Sequence, residues 1–245
     1  MSQRSVEYIY GINPIFEVVR AGRRNIKQAF LSLSSANNPR IKKLEEYLVR
    51  KEIPVEWVEK GRVMDLSGSK DNQGAVIRSS TYPYVSFEEV ISAQRVLLLD
   101  NVEDPHNVGA ILRTAEIFGF SSILAPMKGV PDIYPSVVKV SAGATEFLKI
   151  CKDSAANLYA RKAHEAGFTI IALDGAGKTA LEEVNVSAND RVMLVIGGED
   201  KSVGQYILNM ADYVVRIEQH GQINSLNASV AGSIAMYALN RKLKA

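Results

Sequence analysis

RVLLLDNVEDPHNVGAILRTAEIFG, residues 95–119, decides the fold of this chain. Four consecutive branched apolar residues between Arg95 and Asp100 read as a strand buried on both faces, because a strand with one wet face would alternate. Asp104-Pro105 marks a turn. Apolar positions Val108, Ile111, Ala115 and Phe118 then recur at helical spacing until Gly119 stops them. The same alternation runs outward from there. SSILA (121–125), FTIIALD (168–174) and RVMLVIG (191–197) are further buried strands, and YARKAHEAG closes a helix between Cys151 and Gly167. A last helix, from about Leu226 to Leu243, carries Leu226, Val230 and Ile234 on one side. Ala228, Ala231 and Ala235 form a small-residue side where another helix could approach closely. Apolar strands alternating with helices imply an α/β architecture, a parallel sheet covered on both faces.

Upstream the pattern changes. Asn13-Pro14 has the cap and first-turn chemistry of a helix that Gly22 would stop, and Asn38-Pro39 opens another, IKKLEEYLVRK, with Ile41, Leu44 and Leu48 on its apolar side. AFLSLSS (29–35) and GAVIRSS (74–80) read as strands. STYPYVSFEE (80–89) mixes proline, aromatic and polar residues without a period, the composition of a connection. The chain therefore divides into a small α/β domain at 1–80, a linker at 81–92 and a larger domain at 93–245. Charge follows the same division: residues 1–83 carry 14 Lys/Arg against 9 Asp/Glu, a net +5, and the remainder 15 against 18, a net −3. A basic domain ahead of a mildly acidic one suits a polyanionic partner for the first part.

Composition excludes several classes. With 47% hydrophobic and 23% charged residues, the chain is ordinary globular material. No apolar run is long enough to span a bilayer, and MSQRSVEYIYG lacks the apolar core of a signal peptide. The expected location is the cytoplasm. The single cysteine, Cys151, excludes an internal disulfide and, with three scattered histidines, argues against a metal site.

Several residues stand where chemistry could be placed. Asn107 is positioned to cap the first helix of the larger domain. Arg113 lies on that helix's polar side, where Glu116 at i, i+3 offers an ion pair. Glu199 follows a buried strand, the place where α/β sheets put functional groups, and could equally cap the helix that follows. Gly197 and Gly198 leave backbone groups open to a ligand. Ser225 and Asn227 flank Leu226 at the start of the last helix, and Ser225 could be its cap. GAGKT (175–179) resembles a phosphate-binding loop, but the required earlier glycine is Ala172, inside a strand; Lys178 then reads as a solvent-facing loop residue. His106 and His220 sit in two of these loops, within reach of a substrate.

Three separated blocks carry a family resemblance: DNVEDPHNVGAILRTAEIFG (100–119), LVIGGEDKSVG (194–204) and RIEQHGQINSLNASVAG (216–232). Together they resemble the signatures of the SpoU/TrmH-type (SPOUT) RNA ribose 2′-O-methyltransferases. Upstream, YGINPIFEVVRAG (10–22) and DNQGAVI (71–77) resemble the small RNA-binding domain of the members that act on ribosomal RNA. The resemblance implies a parallel sheet with a deep C-terminal trefoil knot, preceded by a ribosomal-protein-like α/β domain. It implies S-adenosylmethionine as methyl donor, bound through Gly197, Ile217 and Leu226, with Gly198 beside them. It assigns catalysis to Asn107, Arg113, Glu199, Ser225 and Asn227, and requires no metal. The implied partners are structured RNA, free or in a pre-ribosomal particle, and a second copy of the chain in a homodimer. DNA is excluded because only RNA carries the 2′-hydroxyl.

The members most similar methylate a guanosine of large-subunit (23S) ribosomal RNA. Transfer RNA as substrate, and a non-catalytic RNA-binding or ribosome-assembly protein, are the alternatives. The chain departs from the family at Glu218-Gln219, where Pro-Met follows the isoleucine, at Asp200, where glycine is common, and at Asn72, where histidine precedes Gln-Gly.

Overall fold

The computed structural model describes residues 6–199, 201–222 and 225–243; Asp200 lies outside them. The elements form two compact units. The first unit begins with β1 (Glu7–Tyr10), α1 (Ile12–Ala21), β2 (Ile26–Ser32), α2 (Pro39–Arg50), β3 (Val55–Val58), α3 (Lys60–Ser67) and β4 (Ala75–Ser79). Its sheet has the order β1-β4-β2-β3; β4 is antiparallel to both its neighbours, and β2 and β3 are parallel. Ile15 and Val18 of α1 and Ile41, Leu44 and Leu48 of α2 are buried, as the helical spacing requires. Asn38 caps α2, its side-chain oxygen accepting from the Arg40 amide at 2.9 Å. The first helix starts earlier than Asn13-Pro14 suggests. Its N-cap is Gly11, at φ 96°, and Gly22, left-handed at φ 65°, ends it.

The second unit starts with α4 (Phe87–Ile91), β5 (Arg95–Asp100), α5 (Pro105–Ile117) and β6 (Ser122–Leu124). The stretch 81–92, expected to be a linker, thus carries a helix, opened by a reciprocal Ser86–Glu89 capping box. Next in the chain is α6 (Pro135–Val140), which packs with β1, and the whole segment 133–146 belongs to the first unit. Charge fastens that segment. The Arg24 guanidinium, fully buried, meets Glu146 at 2.8 and 2.9 Å and Glu7 at 2.7 Å. Burial alone would lower the Arg24 pKa, but the two carboxylates outweigh it and raise it.

The second unit resumes with β7 (Lys149–Cys151), α7 (Ala156–Glu165), β8 (Thr169–Leu173), β9 (Thr179–Ala180), β10 (Val192–Gly197), α8 (Gln205–Met210), β11 (Tyr213–Arg216) and α9 (Ala228–Lys242). Its seven strands lie in the order β7-β6-β5-β10-β8-β11-β9, every pair parallel. β5 and β10 are buried along almost their whole length, as the apolar runs demand. The last helix lies against α5, where Thr114 and Ser233 share a hydrogen bond of 3.1 Å. Its small-residue side does not face outward: Ala228 and Ala235 are buried, and a Cβ on Gly232 would come within 2.5 Å of Ile196 Cδ1 on β10. Among the described residues no helix is long and apolar enough to cross a membrane.

Candidate active site

Because the strands of the second unit are parallel, the loops that follow β5, β10, β8 and β11 leave from one edge of the sheet. Asp100 and Gly197, the last residues of β5 and β10, are register partners. Asp100 is 7% exposed. Its Oδ2 accepts from the Gly204 amide at 2.8 Å and so holds the loop after β10. Burial pushes the Asp100 carboxyl above its ordinary pKa, against the opposing effect of the Gly204 bond. Asn101, left-handed at φ 57°, turns its carbonyl toward the glycine pair. A Cβ on Gly198 would lie 2.0 Å from the Asn101 oxygen, and one on Gly197 2.5 Å from the Val203 nitrogen. Both glycines are thus demanded by backbone packing, beyond any freedom they give a ligand.

A cleft of about 490 Å³ opens at this edge. Seven of the residues singled out from the sequence line it: Gly197, Gly198, Glu199, Ile217, Ser225, Leu226 and Asn227. Three side chains at its rim form one cluster. Asn107 Nδ2 donates to Glu199 Oε1 at 2.7 Å, and Asn227 Nδ2 donates to the same oxygen at 2.5 Å and to Asn107 Oδ1 at 2.9 Å. Residues 92 and 28 apart from Glu199 in sequence are thereby fixed to one carboxylate. Among the described residues the lining carries two carboxylates, Asp174 and Glu199, and no Lys or Arg. Its apolar part is Leu173, Ile196, Ile217 and Leu226. Such a cleft suits a ligand with an apolar body and positive charge.

The capping roles fall differently from expectation. Asp104, not Asn107, caps α5: its Oδ1 accepts from the His106 amide at 2.9 Å. That frees the Asn107 side chain for Glu199. Asn227, not Ser225, caps α9, accepting from Ser229 and Val230 amides at 2.9 and 3.3 Å. Gly204 occupies the cap position of α8, so Glu199 does not serve it. Arg113 is exposed and makes no ion pair or hydrogen bond among the described residues, the Glu116 pair included. Six residues beyond Asn107 on α5, it stands about 9 Å further along the axis and roughly 120° around it, outside the cluster. Glu218 and His220 line a neighbouring groove of about 440 Å³, whereas Gln219 lines the cleft as well. His106 is exposed in the first turn of α5.

Sequence reasoning missed Asp174 and set aside Gly175 and Ala176 as part of an incomplete phosphate-binding loop, yet all three line the cleft. The signal was present: Asp174 directly follows a buried parallel strand, as Glu199 nearly does. Its Oδ1 accepts from the Ala176 amide at 2.8 Å, folding the loop back on itself. Lys178 is exposed, and Arg216 holds the carbonyls of Gly177 and Lys178 at 3.1 and 2.6 Å. Among the described residues no three His, Cys, Asp or Glu side chains gather as a metal set.

Residues 94–237 match the SpoU rRNA Methylase family, and residues 8–85 match the domain described as RNA 2′-O ribose methyltransferase substrate binding. A TrmH family tRNA/rRNA methyltransferase of Bacillus subtilis, named YacO, is 27% identical over 99% of this chain and 98% of its own length. An uncharacterised tRNA/rRNA methyltransferase of Archaeoglobus fulgidus is 34% identical over 85% of this chain and 89% of its own. The fold is also that of an AdoMet-bound rRNA methyltransferase from Sinorhizobium meliloti. The two share a TM-score of 0.80 and 21% identity over 98% of this chain and 88% of the other.

Proposed function

This chain belongs to the SpoU rRNA methylase family, and we propose that it methylates a ribose 2′-hydroxyl of RNA, a guanosine of 23S ribosomal RNA being the target. The observation that carries this reading is the Asn107–Glu199–Asn227 cluster at the rim of a cleft that, among the described residues, is charged by carboxylates alone. S-adenosylmethionine fits the lining: Asp174 and Glu199 would answer its positive charge, and Ile196, Ile217 and Leu226 would pack against its apolar parts. When bound, it supplies an electrophilic methyl carbon whose bond to sulfur breaks as the bond to the 2′-oxygen forms. The backbone at Gly197 and Gly198 would hold it, and no metal takes part in this reading.

The chain's own residues then position the acceptor. Glu199, fixed by two amide donors, presents its carboxylate with little freedom to reorganise. Asn107, Ser225 and Asn227 orient the ribose by hydrogen bonds, so that oxygen, carbon and sulfur stand in line. An arginine guanidinium makes a poor base. The Arg113 guanidinium, without an ion pair or hydrogen bond among the described residues, binds the phosphate beside the target and stabilises the developing alkoxide; the proton leaves to phosphate or water.

A homodimer is supported by the other side of α9. Val230, Ile234 and Tyr237 recur at i, i+4, i+7 and are 47%, 39% and 51% exposed, and Ile117 on α5 is 64% exposed. An apolar stripe of this length marks a protein interface. Arg113 lies at i−4 to Ile117, on the same side of α5, which sets it at the proposed interface, to act on RNA held at the partner's cleft. The deep knot is supported by the strand order, in which late β10 lies between β5 and β8. The first unit, basic and matched as substrate binding, favours ribosomal over transfer RNA and work in the cytoplasm, on free RNA or a pre-ribosomal particle.

Methyl-labelled S-adenosylmethionine, offered with unmodified ribosomal RNA and transfer RNA in parallel to the parent chain and Arg113→Ala, tests the reading. Label in a 2′-O-methyl nucleotide of ribosomal RNA, lost in the variant, is expected. Label in transfer RNA alone keeps the chemistry and overturns the target. No transfer to either RNA or ribosomal particles, with no cofactor binding, returns the assembly-protein reading.

A further inference from the structure

The groove of about 440 Å³ beside the cleft is lined by Arg216, Glu218, Gln219 and His220. It is continuous with the cleft, since Gly175, Ile217 and Gln219 line both. The two differ in charge. Among the described residues the cleft has the carboxylates Asp174 and Glu199 and no cation, whereas the groove adds a guanidinium and an imidazole. S-adenosylmethionine is not a simple cation: beside its sulfonium and ammonium it carries a carboxylate. An acidic lining that suits the first two repels the third. A carboxylate drawn out of water also needs a cation or donors of its own. Among the described residues of cleft and groove together, Arg216 is the one Lys or Arg.

Arg216 ends β11 and is partly buried. Its Nη1 donates to the carbonyls of Gly177 and Lys178 at 3.1 and 2.6 Å. These acceptors are neutral, so they orient the guanidinium without cancelling its charge. They also draw the loop after β8 onto β11, where a Cβ on Gly177 would come within 2.7 Å of the Val214 carbonyl oxygen. Nε and Nη2 make no hydrogen bond, and the guanidinium no ion pair, among the described residues. Glu218 lines the same groove, exposed, without pairing with it. Nε and Nη2 share one edge of the guanidinium plane, and that edge is the fork that matches the two oxygens of a carboxylate. The departure from the family pattern at Glu218-Gln219 falls on this same groove.

We infer that Arg216 binds the carboxylate of the methyl donor through Nε and Nη2, and that the groove seats the donor's amino-acid end. The inference rests on the methyltransferase reading and gives one residue, outside every assigned site position, a charge-pairing role in it. Arg216 then selects for a ligand that carries a carboxylate, while Asp174 and Glu199 answer positive charge.

Titration calorimetry on the full-length chain compares S-adenosylmethionine with decarboxylated S-adenosylmethionine, which keeps the adenosine, sulfonium and ammonium and lacks only the carboxylate. The parent should bind the carboxylated ligand roughly tenfold more tightly. In Arg216→Gln, whose amide can still donate to the Gly177 and Lys178 carbonyls, that ratio should fall to about one. Arg216→Lys keeps the charge, loses the fork and should fall between the two. Lys178→Ala removes an exposed cation of the same loop that lines neither cavity, and should keep the parent's ratio. Equal loss of affinity for both ligands in Arg216→Gln would mark an arginine that only holds the loop, and would overturn the inference. A parent that binds the two ligands equally would overturn it without any variant, while its binding of S-adenosylmethionine still upheld the cofactor. No binding of either ligand by the parent would overturn the cofactor and the inference together.

Discussion

The Asn227 side chain caps α9 through its oxygen and donates from its nitrogen to Glu199 and Asn107. The two roles separate by substitution. Asn227→Ala loses both and should cost about 1 kcal/mol of stability, with turnover down about a hundredfold from a mispositioned carboxylate. Asn227→Ser keeps a capping oxygen and loses the amide donors, so urea melts should return to near the parent's while turnover stays low. Full turnover in the serine variant would remove the cluster from the mechanism. Asp100 gives a prediction in pH. Burial lifts its carboxyl above the ordinary 3.8. Its contribution to stability is therefore full below that value and lost as pH rises through the folded pKa. Asp100→Asn keeps an acceptor for the Gly204 amide and removes the buried charge. Its melting temperature should exceed the parent's at about pH 8, with the gap closing toward pH 4; a gap that widens on acidification would contradict this.

At the scale of elements, the close approach of the β10 loop to Asn101 should be less forgiving than the packing of α9 on β10. Gly198→Ala sets a Cβ against a backbone oxygen and should cost about 3 kcal/mol or more. Gly232→Ala meets only the flexible end of Ile196 and should cost about 1 kcal/mol; equal losses in chemical denaturation would refute the ranking. The buried runs 95–100, 168–174 and 191–197 were legible because a parallel strand covered on both faces leaves a continuous apolar signature. Glu7–Tyr10, Val55–Val58 and Tyr213–Arg216 were not, since four residues of mixed burial show too little period. Caps were legible as chemistry and not as positions. Asp104 and Asn107 flank the same turn, and Ser225 and Asn227 the same helix start, so only the backbone decides between them. The place of 133–146 in the first unit hangs on an ion pair 122 residues apart, Arg24 with Glu146, which no local pattern announces. Seven of the residues that line the cleft were singled out through motif resemblance, and Asp174 was passed over because the loop it opens, GAGKT, was weighed only as an incomplete phosphate-binding loop.

At the scale of the whole molecule, the proposal that Arg113 serves the partner's cleft has a direct test. Within its own chain it stands outside the Asn107–Glu199–Asn227 cluster, on the side of α5 that carries Ile117. If the apolar stripe of α5 and α9 pairs with its copy about a two-fold axis, Arg113 of each protomer approaches the other's cleft. Complementation distinguishes the two arrangements. Arg113→Ala and Asn227→Ala chains, each inactive alone, are mixed in equal amounts, unfolded and refolded together. If Arg113 works across the interface, each mixed dimer has one cleft with both residues intact and one with neither. Half the dimers are mixed and half their sites function, so activity should return to roughly a quarter of the parent's. If Arg113 serves its own cleft, every site lacks one residue and none returns. Ile234→Glu supplies the control: a charge within the stripe should yield monomers by light scattering and abolish the recovery, while S-adenosylmethionine affinity changes little if the cleft is complete within one chain.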